Sequence, residues 1–417
     1  MSTAAQGALS GVLPAGALRE GLDHETWALG GATPEAVVEP GSVEEVRAVL
    51  AAAVSGGFSV VPLGGRTDPG ATPPRGRFVV LSTRRLDGVE EYAPADLTVT
   101  AKGGTTLESL DATLAAQGQW LPVDPPFGPR CTVGGLVATG EAGALGMAYG
   151  TPRDHVLGLT VVTGDGRVLR LGGRVMKNVA GFDLVKLMVG SRGTLGVVVS
   201  ACMRLFPRPA EERVLVLSAQ GPGALLEAAR RVLTASVVPA SALLLAPAPD
   251  SSGGGALVVR VQGARTAVDA DARKLLGPAL PQARMLDGAA ARQVLAAARD
   301  HATGHRVVVR AYALPGLLPE VLSAVQESLP VAAVAADVMS GRVRVGLEPS
   351  DSDPTPLLLL RNRLDILGGS LVFERMEPWQ AYPLPAYGSR GRPGTLDRSL
   401  RARFDPAGVL SPGRFES

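Results

Sequence analysis

The glycine pair Gly134-Gly135, set in Thr132-Val133-Gly134-Gly135 and followed by Gly140, constrains this chain more than any other stretch. Neighbouring glycines carry no Cβ, so main-chain N–H groups there can face an anion at contact distance, and a bulkier side chain would hold the anion off. A second pair lies upstream, where Val60-Val61-Pro62 reads as a short strand running into Leu63-Gly64-Gly65-Arg66-Thr67. Two such loops can grip one diphosphate. Neither is a common nucleotide loop: no Lys-Ser/Thr follows at P-loop spacing, and no Gly-x-Gly-x-x-Gly lies between a strand and a helix. Either pair alone also fits a tight turn, so the weight comes from the residues around them.

The turn Pro122-Val123-Asp124-Pro125-Pro126 delivers the second loop, its prolines fixing φ and lowering the entropy lost on ordering. Downstream, Tyr149-Gly150-Thr151-Pro152-Arg153-Asp154 precedes a strand from Val156, a turn at Asp165-Gly166 and a return strand to Leu171. Then come Lys177-Asn178-Val179-Ala180-Gly181-Phe182-Asp183 and Gly190-Ser191-Arg192-Gly193-Thr194-Leu195-Gly196. With Asp96-Leu97-Thr98-Val99-Thr100 and the tail Phe404 to Arg414, these residues make the chain resemble the PCMH-type FAD-binding fold of the vanillyl-alcohol oxidase superfamily. Within it, the chain is most similar to the second FAD-binding subunit of bacterial glycolate oxidases. The similarity is dense over residues 30–208 and returns at the C-terminus.

The resemblance implies an α+β chain: a two-subdomain PCMH-type FAD-binding fold with an inserted α+β cap. Its expected parts are an N-terminal segment (1–29), the FAD domain (30–208), the cap (209–395) and a segment returning to the FAD domain (396–417). It places the pyrophosphate of FAD on Gly64, Gly65, Arg66 and Thr67 and on Thr132, Val133, Gly134 and Gly135, with backbone of Val197 and Val198 near the adenine. Leu63, Pro125 and Gly140 complete the expected cofactor-binding set. Relatives with covalent flavin often carry a histidine in the first loop; Arg66-Thr67 offers none, which implies non-covalent FAD. Where dehydrogenase relatives commonly have Glu in the Gly-Ser-Glu-Gly loop and Asn in the tail, this chain has Arg192 and Ser411.

At 417 residues, two domains are the default, and 46% hydrophobic against 19% charged residues allows a sizeable core. A net charge of +2 supplies no field for nucleic acid and no polybasic patch for lipid, and 4% aromatic residues leave few base-stacking platforms. Cys131 and Cys202 match no cluster spacing, which excludes an iron–sulfur centre held by this chain alone; Cys131 reads as a small apolar filler. The first 22 residues lack signal-peptide character and no apolar run approaches the roughly 20 residues that span a bilayer. The expected location is cytoplasmic, with membrane contact only through partners.

Ser42-Val43-Glu44-Glu45 fits a capped helix ending near Gly56-Gly57, and Leu107 to Ala116 a helix closed by Gly118. From Glu211, alternating strands (Val214–Leu217, Ala256–Val261, Arg306–Ala313, Val343–Leu347) and helices (Ala224–Leu233, Val268–Leu276, Ala289–Ala298, Leu318–Leu329, Pro356–Leu367) suggest a mainly antiparallel cap. Catalytic subunits of the resembled dehydrogenases hold a cap cluster of histidines and an acidic residue that binds metal and takes the substrate's proton. The histidines here are His24, His155, His301 and His305, and of these only His301 and His305 have helical spacing. No metal site and no catalytic residue is assigned; Lys177, Asp154 and Asp183 fit either an active site or, the preferred reading, salt-bridged structural roles. The resemblance therefore implies a flavin subunit of a multi-subunit glycolate oxidase, partnered by a catalytic FAD-linked subunit and an iron–sulfur subunit. A self-sufficient FAD-dependent oxidoreductase of a 2-hydroxy acid or sugar alcohol, and a scaffold that has lost flavin, stay open.

Overall fold

The computed structural model describes residues 3–19, 24–68, 70–173, 182–248, 254–348, 353–376, 386–387 and 394–415. Ahead of Glu211 lie two larger sheets, besides the short pairing of Gln119–Trp120 with Phe206–Pro207. The first is parallel, with Phe78–Ser82 between Ala36–Val38 and Ser59–Leu63. Its middle strand, Phe-Val-Val-Leu-Ser, is buried throughout, as a strand covered on both faces must be. Between the outer strands runs the helix Val43–Gly56; Ser42 Oγ accepts from Glu45 N–H at 3.1 Å and Gly57 ends it at φ 62°. The second sheet is antiparallel, ordered Val89–Ala93, Thr98–Lys102, Val197–Arg204, Val156–Val162, Val168–Gly172. Its last two strands form the expected hairpin, turning where Gly166 has φ 78°.

The cap is one eight-stranded antiparallel sheet whose order reveals a repeat that the sequence reading did not find. Glu211–Ala219, helix Pro222–Thr234, Ser241–Ala246, Gly255–Gly263, helix Arg265–Lys274 and Arg284–Leu286 form one β-α-β-β-α-β unit. Val307–Tyr312, helix Leu318–Ser328, Val331–Asp337, Arg342–Leu347, helix Thr355–Ile366 and Ser370–Arg375 form another. The two units meet strand to strand, Ser241–Ala246 on Val331–Asp337, so their edges become the middle of the sheet. Helix Gly288–Asp300 joins them and covers the second face of the first unit, with Ala291 and Ala298 against Val214, Val216 and Val258. The sequence reading placed all five of these longer helices but missed Ser241–Ala246, Val331–Asp337 and Ser370–Arg375. The first is a leucine run without β-branching and the second is mostly alanine with two valines, and such short apolar runs do not separate strand from buried helix.

Strand period decides what the second unit shows to the rest of the chain. In Arg342–Leu347, Val343, Val345 and Leu347 enter the apolar core under the helices, so Arg342 and Arg344 stand on the opposite face beside Arg310 of the neighbouring strand. The tail closes the molecule onto the parallel sheet: Val60 N–H donates to Val409 O at 2.7 Å and Ser411 N–H to Val60 O at 3.0 Å. Asp405 secures this return by accepting from Val409 N–H and Leu410 N–H at 3.0 and 2.8 Å.

Candidate functional site

The strand Ser59–Leu63 ends in a run of bends, and Gly64-Gly65 then lies directly on the segment from Arg130 to Thr132. A Cβ on Gly64 would overlap Thr132 Oγ1, and one on Gly65 would overlap the Arg130 carbonyl. The two glycine loops therefore touch, as one grip on one ligand requires. Among the described residues, no partner takes the main-chain N–H groups of Gly65, Arg66 and Thr67. Unbonded main-chain donors lining a concavity are what an anion would satisfy.

The second loop differs from the expectation. Thr132 caps a helix, Val133–Thr139, with its Oγ1 accepting from Gly135 N–H at 3.2 Å. Gly134 N–H donates to Gly103 O at 2.7 Å and Val133 N–H to Thr105 O at 2.9 Å, so these N–H groups are not free for a phosphate. The glycines serve close packing instead: a Cβ on Gly134 would lie 2.8 Å from Gly103 O. Thr132 and Val133 are buried behind the helix, and Gly140, at φ 67°, is its left-handed cap, bonded to Leu136 O and lying outside the cleft.

Between the first loop and this helix opens a cleft of about 650 Å³, solvent at its mouth included, lined by Leu63, Gly64, Gly65, Arg66, Thr67, Gly134, Gly135, Val197 and Val198. The structure thus brings nine of the expected residues to one surface. Pro125 instead lines an adjoining cavity of about 520 Å³, which shares Thr67, Asp68 and Thr139 with the cleft. Sequence reasoning missed Asp68, Thr139 and Arg414 in the cleft wall, although Asp68 directly follows the first loop and Arg414 ends the quoted tail.

The cleft holds three arginines in three different states. Arg66, at φ 58°, turns its guanidinium onto the Trp27 ring, 4.3 Å from the centroid, and onto the Thr26 carbonyl, so it offers the cleft backbone more than charge. Arg192, at φ 52°, pairs with Asp68 at 2.6 Å and lies over Tyr387. Burial alone would lower its pKa, but Asp68 and Tyr387 outweigh that and raise it. Among the described residues Arg414 has neither kind of partner for its guanidinium, although Asp68 and Tyr387 lie close enough to raise its pKa against the burial that lowers it. Ser411, the other residue singled out in the tail, has φ 42° and a buried hydroxyl with no partner.

Where the cap meets this region, Glu141, just past the helix Val133–Thr139, is clamped by Arg310, by Arg342 at 3.1 Å and by Arg344 at 3.4 Å. Glu374 holds Arg310 and Arg344 from the other side at 2.9 and 2.7 Å. Burial alone would raise the Glu141 pKa, but the three arginines hold it well below the usual carboxylate range. Arg344 and Arg375 also line the adjoining cavity, and Arg375 donates to the Thr303 and His305 carbonyls at 3.0 Å.

The remaining candidates are structural where described. His155 is buried against Phe206, His301 follows the end of helix Gly288–Asp300 with Nε2 3.4 Å from Ala246 O, and His305 lies 2.9 Å from Glu348. Among the described residues no group of three potential metal ligands occurs. Asp154 caps at Thr151, Asp183 caps helix Leu184–Met188, and burial pushes the Cys131 thiol up to about 12. Lys177 lies outside the described residues. Among the described residues no helix is long and apolar enough to cross a membrane.

Residues 34–172 match the FAD binding domain family. A D-2-hydroxyglutarate dehydrogenase of Xanthomonas citri pv. viticola is 41% identical over 187 residues, covering 44% of this chain and 39% of that protein. Glycolate oxidase subunit GlcE of Escherichia coli K12 is 48% identical over 130 residues, covering 31% of this chain and 37% of that protein. The chain thus spans less than half the length of these relatives. A solved structure of alkyldihydroxyacetonephosphate synthase superposes with TM-score 0.72 over 97% of this chain and 83% of that one, at 20% identity, which establishes a shared α+β fold. Residues 34–172 are thus similar to FAD binding domains, and the cofactor is FAD. The residues fit that group: glycines where a Cβ would collide, unbonded N–H groups and a cationic wall.

Proposed function

We propose that this chain is the flavin-binding component of an oxidoreductase acting on 2-hydroxy acids, and more narrowly the FAD-binding subunit of a multi-subunit glycolate oxidase. The observation that carries the reading is the glycine-lined cleft, most of whose lining residues fall in the segment that matches FAD binding domains. In this reading, Gly64, Gly65, Arg66 and Thr67 hold the diphosphate by their backbone. Gly134 and Gly135 form the opposite wall, Val197 and Val198 the adenine side, and residues 209–395 act as the cap over the 30–208 domain. FAD, when bound, supplies the two-electron chemistry, and the protein binds and orients it.

The subunit reading is supported by what fills the interface. The Glu141, Glu374 and arginine cluster occupies the space between cap and cleft, and none of the described histidines lines either cavity to take a substrate proton. Two partners complete the reading, a catalytic FAD-linked subunit and an iron–sulfur subunit. The alternative, a self-sufficient oxidoreductase, is favoured by one feature: a cavity adjoining the cleft, lined by Arg344 and Arg375 as well as by Asp68, Glu141 and Glu374, in which Arg375 could meet a substrate carboxylate.

A steady-state assay of the isolated chain with glycolate, D-lactate and 2-hydroxyglutarate separates the two. The expected result is negligible dye reduction alone and activity only on co-expression with partner subunits; robust turnover alone would establish the alternative. Acid precipitation of the purified holoprotein is expected to leave yellow flavin in the supernatant, since the first loop holds no histidine for a covalent link. Colour retained in the pellet would refute non-covalent binding.

A further inference from the structure

FAD is an anion, and among the described residues the cleft that would take it contains one cation without a hydrogen bond or ion pair to its charged group. Arg66 is stacked on Trp27 and bonded to the Thr26 carbonyl. Arg192 is neutralised by Asp68. Arg414 lines the same cleft, lies so close to Gly70 that a Cβ there would overlap its guanidinium, and has no hydrogen bond or ion pair to that guanidinium among the described residues. Its main chain is fixed, the N–H donating to Ser411 O at 3.3 Å in the turn that follows the tail's pairing with Val60. Removing a guanidinium from water without a hydrogen-bonded partner costs free energy, and burial lowers the Arg414 pKa by more than the nearby Tyr387 and Asp68 raise it.

We propose that Arg414 is the counter-charge reserved for the anionic part of bound FAD, held unpaired by the C-terminal turn until the cofactor supplies its partner. The inference rests on the flavin reading of the cleft. The anion has two possible sources on one molecule: the diphosphate, charged in both redox states, and the isoalloxazine ring, which gains negative charge on reduction.

The test compares the full-length wild type with Arg414→Met and Arg414→Lys. A guanidinium waiting for a ligand costs the apoprotein stability, so apo Arg414→Met is expected to melt at or above the wild-type temperature, while the stabilisation conferred by added FAD shrinks. If the diphosphate is the partner, the Kd for FAD rises about tenfold to a hundredfold in Arg414→Met and partly recovers in Arg414→Lys, while the Kd for riboflavin, which has no phosphate, stays put. If the reduced ring is the partner, both Kd values hold and the midpoint potential falls, by about 30 mV for each tenfold loss of preference for reduced flavin. Either pattern supports the proposal. Unchanged Kd and potential in Arg414→Met would overturn it, as would an apo variant that loses as much stability as the holo form, the mark of a structural pairing with Asp68. A wild type that takes up no FAD would overturn the flavin assignment and the inference with it.

Discussion

Among the described residues, the non-glycine positions with positive φ are Arg66, Leu97, Phe127, Arg192 and Ser411, and all lie outside the span from Glu211 to Arg375 that builds the cap sheet. The cap is regular, twice the same β-α-β-β-α-β unit, with its apolar residues under helices. The flavin side is built from loops in backbone conformations that ordinary residues avoid; of the five outliers, Arg66 and Arg192 line the cleft and Ser411 lies against Gly193 in its wall. The comparison teaches that the two regions encode function in different currencies. On the flavin side, function lies in what the backbone is made to do; in the cap, it lies in charged side chains hung from a generic scaffold.

The largest expected effect tests the backbone side. Gly65→Val pushes a branched side chain into the Arg130 carbonyl, and the two loops must separate. The expected outcome is loss of bound FAD together with a stability loss of several kcal/mol. Gly135→Val is expected to block the cleft at a smaller stability cost, because its Cβ would lie 3.2 Å from a single threonine hydroxyl. Gly173→Ala, where a Cβ meets nothing, is the neutral control. Flavin-to-protein ratios and melting temperatures check all three, and equal losses at Gly65 and Gly173 would end the claim that loop contact makes the site.

The cap side is tested at Glu141. Glu141→Ala leaves Arg310, Arg342 and Arg344 facing one another without their shared carboxylate, and is expected to cost about 3–5 kcal/mol. The pH dependence has a definite sign. Because the folded pKa lies below the ordinary 4.5, the contribution is fully present above about pH 4.5 and disappears as pH falls toward the folded value. Wild-type denaturation midpoints should therefore drop in acid more steeply than those of Glu141→Gln. Parallel curves would mean the cluster is not what fastens cap to cleft.

How much of this was legible follows the same division. Gly64 and Gly65 stood out in the sequence because a backbone constraint leaves its mark on one position at a time, whereas Arg66, Arg192 and Ser411 stood out only as departures from the residues that the resembled family carries there. The mechanism assigned to Gly134-Gly135 was half right: the pair lines the cleft, but its N–H groups close a helix cap and a strand contact that no local pattern encodes. The arginine clamp was illegible. Arg310 and Glu374 are joined because two strands are neighbours in a sheet, and Glu141 reaches them from the loop after helix Val133–Thr139; single charges on strands look like solvated faces until the register and that packing are known.

The smallest expected effect bears on whether the strained backbone serves the cofactor or merely survives beside it. Ser411 sits at φ 42°, is 2% exposed, and leaves its hydroxyl without a hydrogen-bond partner. Ser411→Gly removes a left-handed penalty of about 1 kcal/mol and an unsatisfied buried oxygen, against roughly 0.5–1 kcal/mol of added unfolded-state entropy. The net expectation is a protein more stable by about 0.5–1 kcal/mol, a rise of a degree or two in melting temperature. The informative readout is FAD affinity in the same variant. Affinity that falls while stability rises would show that the turn presenting Arg414 is strained in the service of the site, which sharpens the contrast with the cap. Affinity that holds would place the strain outside function and leave the contact of the two glycine loops as the feature that distinguishes this side of the molecule.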